Sequence, residues 1–281
     1  MSTIQELFHK GKTLLKDFPE PFLEARLLLL ECASLTEEEF FSFPQKALSK
    51  KEERCYFELL FKRSAGFPLP YLTGIKEFWS IPFRVFPGVF IPRPETELIV
   101  EKVIEFSSSK EATIVDIGTG CGNIAISLAK ELPQARIIAT DISRKAIKAA
   151  KINASEQNAA NVTFICGSLF SPLRKLGLKE NCDFIISNPP YVSEKDWTEL
   201  EPEIKDHEPK KALLAGETGL EVINKLIPGS LSFLKPQGVL FLEIGEGQRD
   251  KVLSLFDSRW KEVSSFCDLG GIERVVIGRK A

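Results

Sequence analysis

From about residue 95 onward, short apolar stretches alternate with amphipathic stretches of helical length. Apolar strands separated by crossover helices form a parallel sheet, because the helices cover both of its faces. The predicted strands are Thr113–Gly118, Arg136–Ile142, Val162–Gly167, Cys182–Asn188, Gly238–Ile244, Lys261–Leu269 and Arg274–Gly278, and predicted helices include Asn123–Lys130, Arg144–Gln157 and Leu220–Leu234. Only a short connection at Gly270-Gly271 joins the last two strands, so they must pair antiparallel. The chain is therefore predicted to be an α/β protein with a mostly parallel sheet.

The N-terminal part has a different pattern. Residues 1–66 carry apolar side chains at helical spacing. Thr36 and Ser49 each precede a glutamate at the spacing of a capping box, which marks a helix N-terminus. The second of these helices ends near Arg63, whose side chain we predict to be exposed. Residues 1–66 are thus predicted to form a small helical bundle.

Prolines, aromatic residues and β-branched residues dominate the next segment, residues 67–93. Ile81, Phe83 and Val85 alternate with other residues, as they would in a strand. We predict a β-hairpin linker here, followed by a domain of residues 94–281. The only low-complexity stretch of the chain, Ser107–Ser109, lies near the start of that domain.

Composition and charge exclude several classes of protein. The net charge of -2 argues against a duplex nucleic acid partner, which usually requires a basic surface. Six cysteines without a C-x-x-C pair, and only two histidines, predict reduced thiols and no metal site. The polar N-terminus and the short apolar run Leu27–Leu30 predict neither a signal peptide nor a membrane span. We expect a cytoplasmic monomer that binds neither nucleic acid nor membranes directly.

A glycine-rich loop follows the first predicted strand of the sheet. Glycines at such a position let the backbone turn sharply and approach a ligand closely. The second strand ends at Asp141, whose carboxylate is suited to accept from both hydroxyls of a ribose. The candidate nucleoside-binding residues are Gly118, Thr119, Gly120, Cys121, Gly122 and Asp141.

The glycine spacing distinguishes between two nucleoside cofactors. Asn123 occupies the position at which the G-x-G-x-x-G pattern has its third glycine, so the pyrophosphate fingerprint is broken. Asp116 would repel a pyrophosphate but tolerate a sulfonium. The loop therefore favours S-adenosylmethionine (SAM) over NAD, with a purely structural turn as the remaining alternative.

The fourth predicted strand ends in the sequence Asn188-Pro189-Pro190-Tyr191, which we call the tip. The prolines have no N–H and hold the backbone extended, so the Pro189 carbonyl can face the cleft. With the Asn188 side-chain oxygen it forms a rigid pair of acceptors, and Tyr191 adds a flat wall. These features predict a receptor for a planar NH2 group, with Asn188, Pro189 and Tyr191 catalytic and Pro190 contributing to substrate binding. The alternative is that Pro-Pro merely ends a strand.

The glycine loop, Asp141 and the tip together resemble the class I SAM-dependent amino-methyltransferases, which have a Rossmann-like sheet. Further stretches resemble the release factor glutamine methyltransferase family (PrmC, also called HemK): Phe78-Trp79, Phe90 to Glu97, His207-Glu208-Pro209, Ala212-Leu213 and Gly219-Leu220. The resemblance implies methylation of the side-chain amide nitrogen of the glutamine in the Gly-Gly-Gln motif of class-1 peptide release factors. It also implies that residues 118–122, Asp141 and Asn188 hold SAM, and that residues 188–191 hold the glutamine.

One position departs from the family pattern. The family often has an acidic residue and a bulky side chain after the third strand, beside the adenine, whereas this chain has Ser168 followed by Leu169 and Phe170. Leu169 and Phe170 are left as the apolar wall of that pocket, and the helical bundle is expected to recognise the release factor.

Other functions with the same chemistry stay open as alternatives. A ribosomal-protein glutamine methyltransferase has a similar loop and tip, but its pattern departs from the Arg-Pro-Glu-Thr-Glu sequence at residues 93–97. An adenine-N6 DNA methyltransferase would need a DNA-reading region. A non-catalytic binding protein of this fold is disfavoured, because Asp141, Asn188 and Tyr191 are intact.

Four polar residues keep two interpretations each. Arg93, Glu95 and Glu97 either shape the mouth of the cleft or serve only to begin a helix, since Pro94 and first-turn acids favour a helix N-terminus. Glu243 is an acid at the end of a predicted strand, where it either contacts a ligand or lies apart from it.

Overall fold

The computed structural model of the protein describes residues 1–107 and 111–281, so two residues of the Ser107–Ser109 stretch lie outside the described part. The helices are α1 (Ile4–Leu14), α2 (Pro21–Ala33), α3 (Glu37–Ser42), α4 (Lys50–Ser64), α5 (Leu69–Thr73), α6 (Glu97–Phe106), α7 (Asn123–Glu131), α8 (Arg144–Glu156), α9 (Ser171–Lys175), α10 (Glu194–Glu199), α11 (Pro202–His207), α12 (Lys210–Leu213), α13 (Ile223–Ser230) and α14 (Arg249–Leu253). None of these described helices is long and apolar enough to cross a lipid bilayer.

The strands are β1 (Ile75–Phe78), β2 (Ile81–Arg84), β3 (Thr113–Ile117), β4 (Arg136–Asp141), β5 (Val162–Cys166), β6 (Cys182–Ser187), β7 (Val192–Ser193), β8 (Leu214–Gly216), β9 (Leu234–Glu243), β10 (Trp260–Cys267) and β11 (Glu273–Lys280). The predicted hairpin is confirmed, since β1 and β2 pair around Trp79 and Ser80. Both of these residues have a positive φ, 54° and 55°, as the tight turns of two-residue hairpins require.

Contacts divide the described residues into two compact units. The first, the helical unit, comprises Met1–Ile75 and Glu201–His207, and thus contains α1 to α5 and α11. The second, the sheet unit, comprises Lys76–Leu200 and Glu208–Ala281. The sequence pattern assigned residues 67–75 to the linker, whereas their contacts group them with the helices.

Side-chain caps and close packing build the helical unit. The predicted capping boxes are present: Glu39 N donates to Thr36 Oγ1 at 3.1 Å, and Ser49 makes the equivalent contacts at the start of α4. At Gly11 an added Cβ would lie 1.9 Å from the hydroxyl of Tyr56, so α1 and α4 approach closely only because residue 11 has no side chain. The Tyr56 hydroxyl donates to the Ala25 carbonyl at 3.1 Å, which satisfies its polar atom inside an apolar core.

Arg63 is buried, so the prediction of an exposed side chain was wrong. Only 5% of the residue is exposed, and its Nε lies 2.6 Å from Glu24 Oε2 while Nη1 lies 2.7 Å from Glu203 Oε2. Its guanidinium also lies 4.3 Å from the ring centroid of Phe18. A buried guanidinium needs such partners, because an unpaired buried charge is costly.

The sheet unit contains a seven-stranded sheet in the order β10-β11-β9-β6-β3-β4-β5. Strands β9, β6, β3, β4 and β5 are parallel neighbours, while β11 pairs antiparallel with both β9 and β10. The predicted fold, a mostly parallel sheet with an antiparallel last pair, is confirmed. Strand order reverses at β3, where the chain passes first to β4 and later to β6, and ligands of open α/β sheets bind at such a switch point.

The register of the sheet aligns four residues along its carboxyl edge. Asp116 of β3 pairs with Ala139 of β4 and with Ile186 of β6, and Ser187 pairs with Leu242 of β9. Continuing this register brings Gly118 level with Asp141 on one side and with Asn188 on the other. On the next strand, β9, Glu243 is level with Asn188. The glycine loop, the tip and the two acids that end β4 and β9 therefore lie along one edge of the sheet.

The segment before β9 differs from the prediction. Helix α13 ends at Ser230, and β9 begins at Leu234 rather than at Gly238. Leu234 pairs with Cys182 of β6, and the Phe233 carbonyl accepts from Cys182 N at 2.9 Å. Pairing with β6 therefore begins within the apolar run that the sequence pattern assigned to the helix.

Candidate functional site

The glycine loop leaves β3 with its backbone turned toward open space. Gly118 and Gly120 have φ values of 83° and 57°, which favour glycine. The amides of Gly118 and Thr119 donate to the Thr140 carbonyl at 2.8 and 2.9 Å, which ties the loop to β4. A Cβ on Gly120 would meet nothing within 4 Å, so the loop backbone there can approach a ligand.

The end of the loop serves packing instead. A Cβ on Gly122 would lie 2.9 Å from Ile126 and 3.1 Å from the Cβ of Ala150, so a glycine is required where α7 meets α8. Cys121 is only 1% exposed, and its carbonyl accepts from Asn153 Nδ2 at 2.8 Å. Of the predicted loop residues, Gly118 and Gly120 are therefore accessible beside the cleft, whereas Thr119, Cys121 and Gly122 are buried.

Asp141 holds the loop from the end of β4. Its Oδ2 accepts from Gly120 N at 3.0 Å, and its Oδ1 accepts from Ser143 N at 2.7 Å at the start of α8. Burial raises the pKa of Asp141, while the two amides oppose that shift. The next residue, Ile142, is a large apolar side chain that is 64% exposed, and the sequence pattern had not singled it out.

The predicted apolar wall after β5 is only partly directed toward the surface. Leu169 is half-buried with a φ of 44°. The ring of Phe170 is buried and stacks on Phe233, with ring centroids 5.2 Å apart. Phe170 therefore belongs to the core of the sheet unit, and Leu169 is the residue of this pair that is partly accessible.

Asp116 is a fully buried acid beneath the glycine loop. Neither carboxylate oxygen has a well-formed hydrogen bond within the described part of the chain. Burial raises the pKa of Asp116 from 3.8 to about 7, and the charge of Asp141 adds to this shift, whereas Thr119 and the Ala125 amide oppose it. A buried acid without a strong partner favours a cation nearby, since a positive charge would offset its desolvation.

Asp116 makes the stability of the ligand-free protein depend on pH. Between the unfolded pKa near 4 and the folded pKa of about 7, the folded protein keeps a proton that the unfolded chain has lost. Stability therefore falls as pH rises through this window. We expect the melting temperature of D116N to exceed that of the wild type, and the difference to be larger at pH 8 than at pH 5. Each kcal/mol of unfolding free energy that ionisation of Asp116 costs the wild type adds about 2–4 °C to this difference. Scanning calorimetry checks this, and an equal margin at both pH values would contradict it.

The tip is fixed by contacts on either side. Ser187 Oγ donates to the Ile117 carbonyl at 2.6 Å, which joins the ends of β6 and β3. Asn188 Nδ2 donates to Thr96 Oγ1 at 3.1 Å. Pro189 is buried, while Asn188 and Pro190 are partly accessible. A Cβ on Gly118 would lie 3.8 Å from the Asn188 carbonyl, so the loop and the tip are in direct proximity.

Tyr191 is held through its backbone by a residue that the sequence pattern did not identify. Gln248 Nε2 donates to the Tyr191 carbonyl at 2.9 Å, and Gln248 Oε1 accepts from Gly245 N at 2.9 Å. A Cβ on Gly219 would lie 2.6 Å from the same carbonyl, so glycine is needed there. Burial raises the pKa of the Tyr191 hydroxyl, which therefore stays protonated.

Behind Asn188 lies Glu243, which is only 2% exposed. Burial raises its pKa from 4.5 to about 7, while hydrogen bonds from Thr96 and Asn188 and the charge of Arg274 oppose that shift. Thr96 is 1% exposed. The structure thus brings Glu243 and Thr96 to the tip. The strand-end position of Glu243 gave a signal in the sequence, whereas that of Thr96 gave none.

Arg93 and Glu97 have structural partners. Arg93 forms an ion pair with the buried Glu208, whose other oxygen accepts from Ile91 N at 3.2 Å. Glu97 Oε1 accepts from Trp79 N at 2.7 Å. These contacts hold the segment before α6, and neither of them is the helix-start interaction that the sequence pattern offered, while the cleft-mouth interpretation stays a prediction.

Comparison with known proteins agrees with this geometry. Residues 108–262 match the family model described as a methyltransferase domain, and residues 6–74 match that of the PrmC N-terminal domain. A methyltransferase structure from Pyrococcus furiosus has the same fold, with a TM-score of 0.55 at 19% identity over 73% of this chain and 92% of that chain. Fold, glycine loop and tip thus define a methyltransferase.

The relatives narrow the class to a family. A release factor glutamine methyltransferase of Koribacter versatilis is 38% identical over 94% of this chain and 93% of its own length. One from Moorella thermoacetica is 41% identical over 84% of this chain and 82% of its own length. The chain belongs to the release factor glutamine methyltransferase family.

Proposed function

We propose that the protein methylates the side-chain amide nitrogen of the glutamine in the Gly-Gly-Gln motif of class-1 peptide release factors, with SAM as methyl donor. The observation that carries this proposal is the row formed by Asp141, Gly118 and Asn188 at the carboxyl edge of the sheet. It unites a nucleoside-binding loop with a receptor for a planar NH2 group.

The residues of the loop fit SAM. The buried Asp116 lacks a strong partner and favours a cation, and the space beside Gly120 is open. Asp141 suits the ribose hydroxyls, and the exposed Ile142 with the half-buried Leu169 offers apolar surface for the adenine. When bound, SAM supplies a methyl group on a positively charged sulfur. In this proposal Cys121 and Phe170 support the site without side-chain contact to SAM.

The tip orients the side-chain amide of the glutamine. The Asn188 side-chain oxygen and the Pro189 carbonyl each accept one N–H of the glutamine amide, and the Tyr191 ring packs on its plane. The amide nitrogen is a poor nucleophile because its lone pair is delocalised, so alignment and stabilisation of the charge that develops on nitrogen lower the barrier. The nitrogen would gain the methyl group as the bond between that group and the sulfur of SAM breaks, with the electron pair left on sulfur as a thioether, and the nitrogen would lose one of its two protons to water.

Replacing Asp141 with alanine tests the cofactor half of the site. D141A removes the ribose acceptor and the contacts with the amides of Gly120 and Ser143, so we expect the Kd for SAM to rise by about 10- to 100-fold, equivalent to about 1.5–3 kcal/mol. Isothermal titration calorimetry measures the Kd. D250A, which replaces an exposed aspartate, is the matched control. An unchanged Kd in D141A would contradict the role of Asp141.

We further propose that the helical bundle of residues 1–66 contributes to recognition of the release factor, and that the protein acts as a monomer without binding nucleic acid. The match of residues 6–74 to the PrmC N-terminal domain supports the first part. The net charge of -2 supports the last.

A transfer assay with labelled SAM tests the proposed function. The purified protein would be offered a class-1 release factor, a ribosomal-protein fraction and duplex DNA in parallel reactions. We expect label on the release factor alone. Label on the ribosomal fraction instead would identify a ribosomal-protein glutamine methyltransferase, and label on DNA an adenine methyltransferase, and either result would overturn the proposal.

A further inference from the structure

We infer that Thr96 and Glu243 are positioning residues that fix the orientation of the Asn188 amide group, so that its oxygen and not its nitrogen faces the methyl acceptor. This inference rests on the proposed function and names the residues that decide which atom of the Asn188 amide faces the glutamine. It concerns groups behind the tip, which touch neither glutamine nor cofactor.

The need for such residues follows from the shape of asparagine. Its side-chain oxygen and nitrogen have nearly the same size, so a half-turn of the amide exchanges an acceptor for a donor. With the nitrogen forward, Asn188 would direct N–H groups at the N–H groups of the glutamine, and the acceptor pair would be lost. Backbone geometry alone does not select one orientation, because the prolines restrain only the main chain.

The polar groups behind the Asn188 side chain are hydrogen-bond acceptors. Asn188 Nδ2 donates to Thr96 Oγ1 at 3.1 Å. Glu243 is level with Asn188 in the neighbouring strand β9, and the side chains of Thr96 and Asn188 lower the pKa of its carboxyl group, which burial raises. The Asn188 nitrogen thus faces acceptors on the side away from the cleft, which leaves the oxygen forward.

The reversed orientation is unfavourable at this site. A half-turn would place the Asn188 oxygen toward Glu243, and when Glu243 is ionised two acceptors would then face each other in a region closed to water. Glu243 is 2% exposed and Thr96 is 1% exposed, so water cannot relieve that contact. Glu243 Oε2 has no hydrogen-bond partner within the described residues, so no structural contact on that oxygen competes for this acid.

The topology explains why this acid lies behind this asparagine. β6 and β9 are parallel neighbours, and their register brings Asn188 level with Glu243. Thr96 ends the 3₁₀ turn that precedes α6. Two charged groups act on Glu243, since Arg274 of β11 lowers its pKa and Glu95, in the same 3₁₀ turn as Thr96, raises it.

Conservative variants test the inference. T96V removes one acceptor without a change of shape, and we expect kcat toward the release factor to fall about fivefold. E243Q replaces a carboxylate, which only accepts when it is ionised, by an amide that accepts in one orientation and donates in the other, and we expect a fall of about 10- to 100-fold above pH 7. The Kd for SAM is expected to stay within about twofold in both variants, since one hydrogen bond at the cofactor would cost more. T96S is expected to restore wild-type kcat.

S127A, which removes another buried hydroxyl, is the control for general loss of packing.

An NMR readout keeps the inference independent of the substrate. The side-chain amide signals of Asn188 are identified by their absence in N188A, and their exchange with solvent is measured in the cofactor-free protein. Slow exchange in the wild type and faster exchange in T96V and E243Q are expected, because the N–H groups are then released from their acceptors. Equal exchange rates in all forms, or T96S no better than T96V, would overturn the inference. Absence of transfer by the wild type would refute the proposed function and leave the exchange result to decide the positioning.

Discussion

Replacing Asn188 with alanine is expected to abolish methyl transfer while SAM binding stays nearly unchanged. The variant loses one of the two acceptors that align the glutamine nitrogen, and removal of one such preorganised group lowers kcat by about 100- to 1000-fold. The loop residues that we propose to bind SAM keep their own contacts, because the amides of Gly118 and Thr119 donate to Thr140 rather than to the tip. Single-turnover transfer and calorimetric SAM binding measure the two properties separately.

The contrast between transfer and binding is the decisive feature of N188A. The control is N224A, an exposed asparagine on α13, which is expected to behave as the wild type in both measurements. Parallel loss of SAM affinity and transfer in N188A would mean that Asn188 serves the cofactor, and the division of roles between loop and tip would be wrong.

Replacing Arg63 with alanine is expected to lower the free energy of unfolding of the helical unit by about 3–5 kcal/mol, the effect of breaking a buried ion pair. The substitution leaves Glu24, which is only 7% exposed, without its guanidinium partner. It also removes the contact with Glu203, which joins α11 to the same unit. Urea denaturation followed by far-ultraviolet circular dichroism measures the effect in the full chain.

Arg54 provides a matched control for this prediction, because it lies on the same helix and is exposed. R54A is expected to change the unfolding free energy by less than about 0.5 kcal/mol, as surface substitutions usually do. If R63A proved as mild as R54A, the buried pair would contribute little and the account of the helical unit would fail.

The parallel sheet, and the proximity of loop and tip at its carboxyl edge, could be predicted from the sequence because their signals are local. Apolar strands, a glycine loop and a strand ending in Asn-Pro-Pro-Tyr each occupy a few consecutive residues. The general rule that ligands bind at the carboxyl edge of such sheets then joins the loop to the tip. For the same reason the capping boxes at Thr36 and Ser49 were predicted correctly.

Side chains whose partners are distant in the sequence could not be predicted in this way. Arg63 looks exposed on its helix, and only Glu24 and Glu203 explain its burial. Thr96 reaches Asn188 across 92 positions of the chain. Its own neighbourhood predicts only the start of a helix.

A sequence motif also does not predict which way each of its side chains points. Cys121 and Phe170 occupy positions that a ligand-binding pattern favours, yet both side chains lie in the core. A motif specifies where the backbone passes, whereas packing decides which side chain faces the cleft. Phe170 is drawn inward by its stack on Phe233.

The central claim is that the tip receives the amide nitrogen of one particular glutamine. Tandem mass spectrometry of a class-1 release factor after incubation with the protein and SAM tests it most directly. The account predicts a single methyl group on the side-chain nitrogen of the Gly-Gly-Gln glutamine, and none on a factor in which that glutamine is alanine. A methyl group on another residue, or one that persists in the alanine variant, would contradict it.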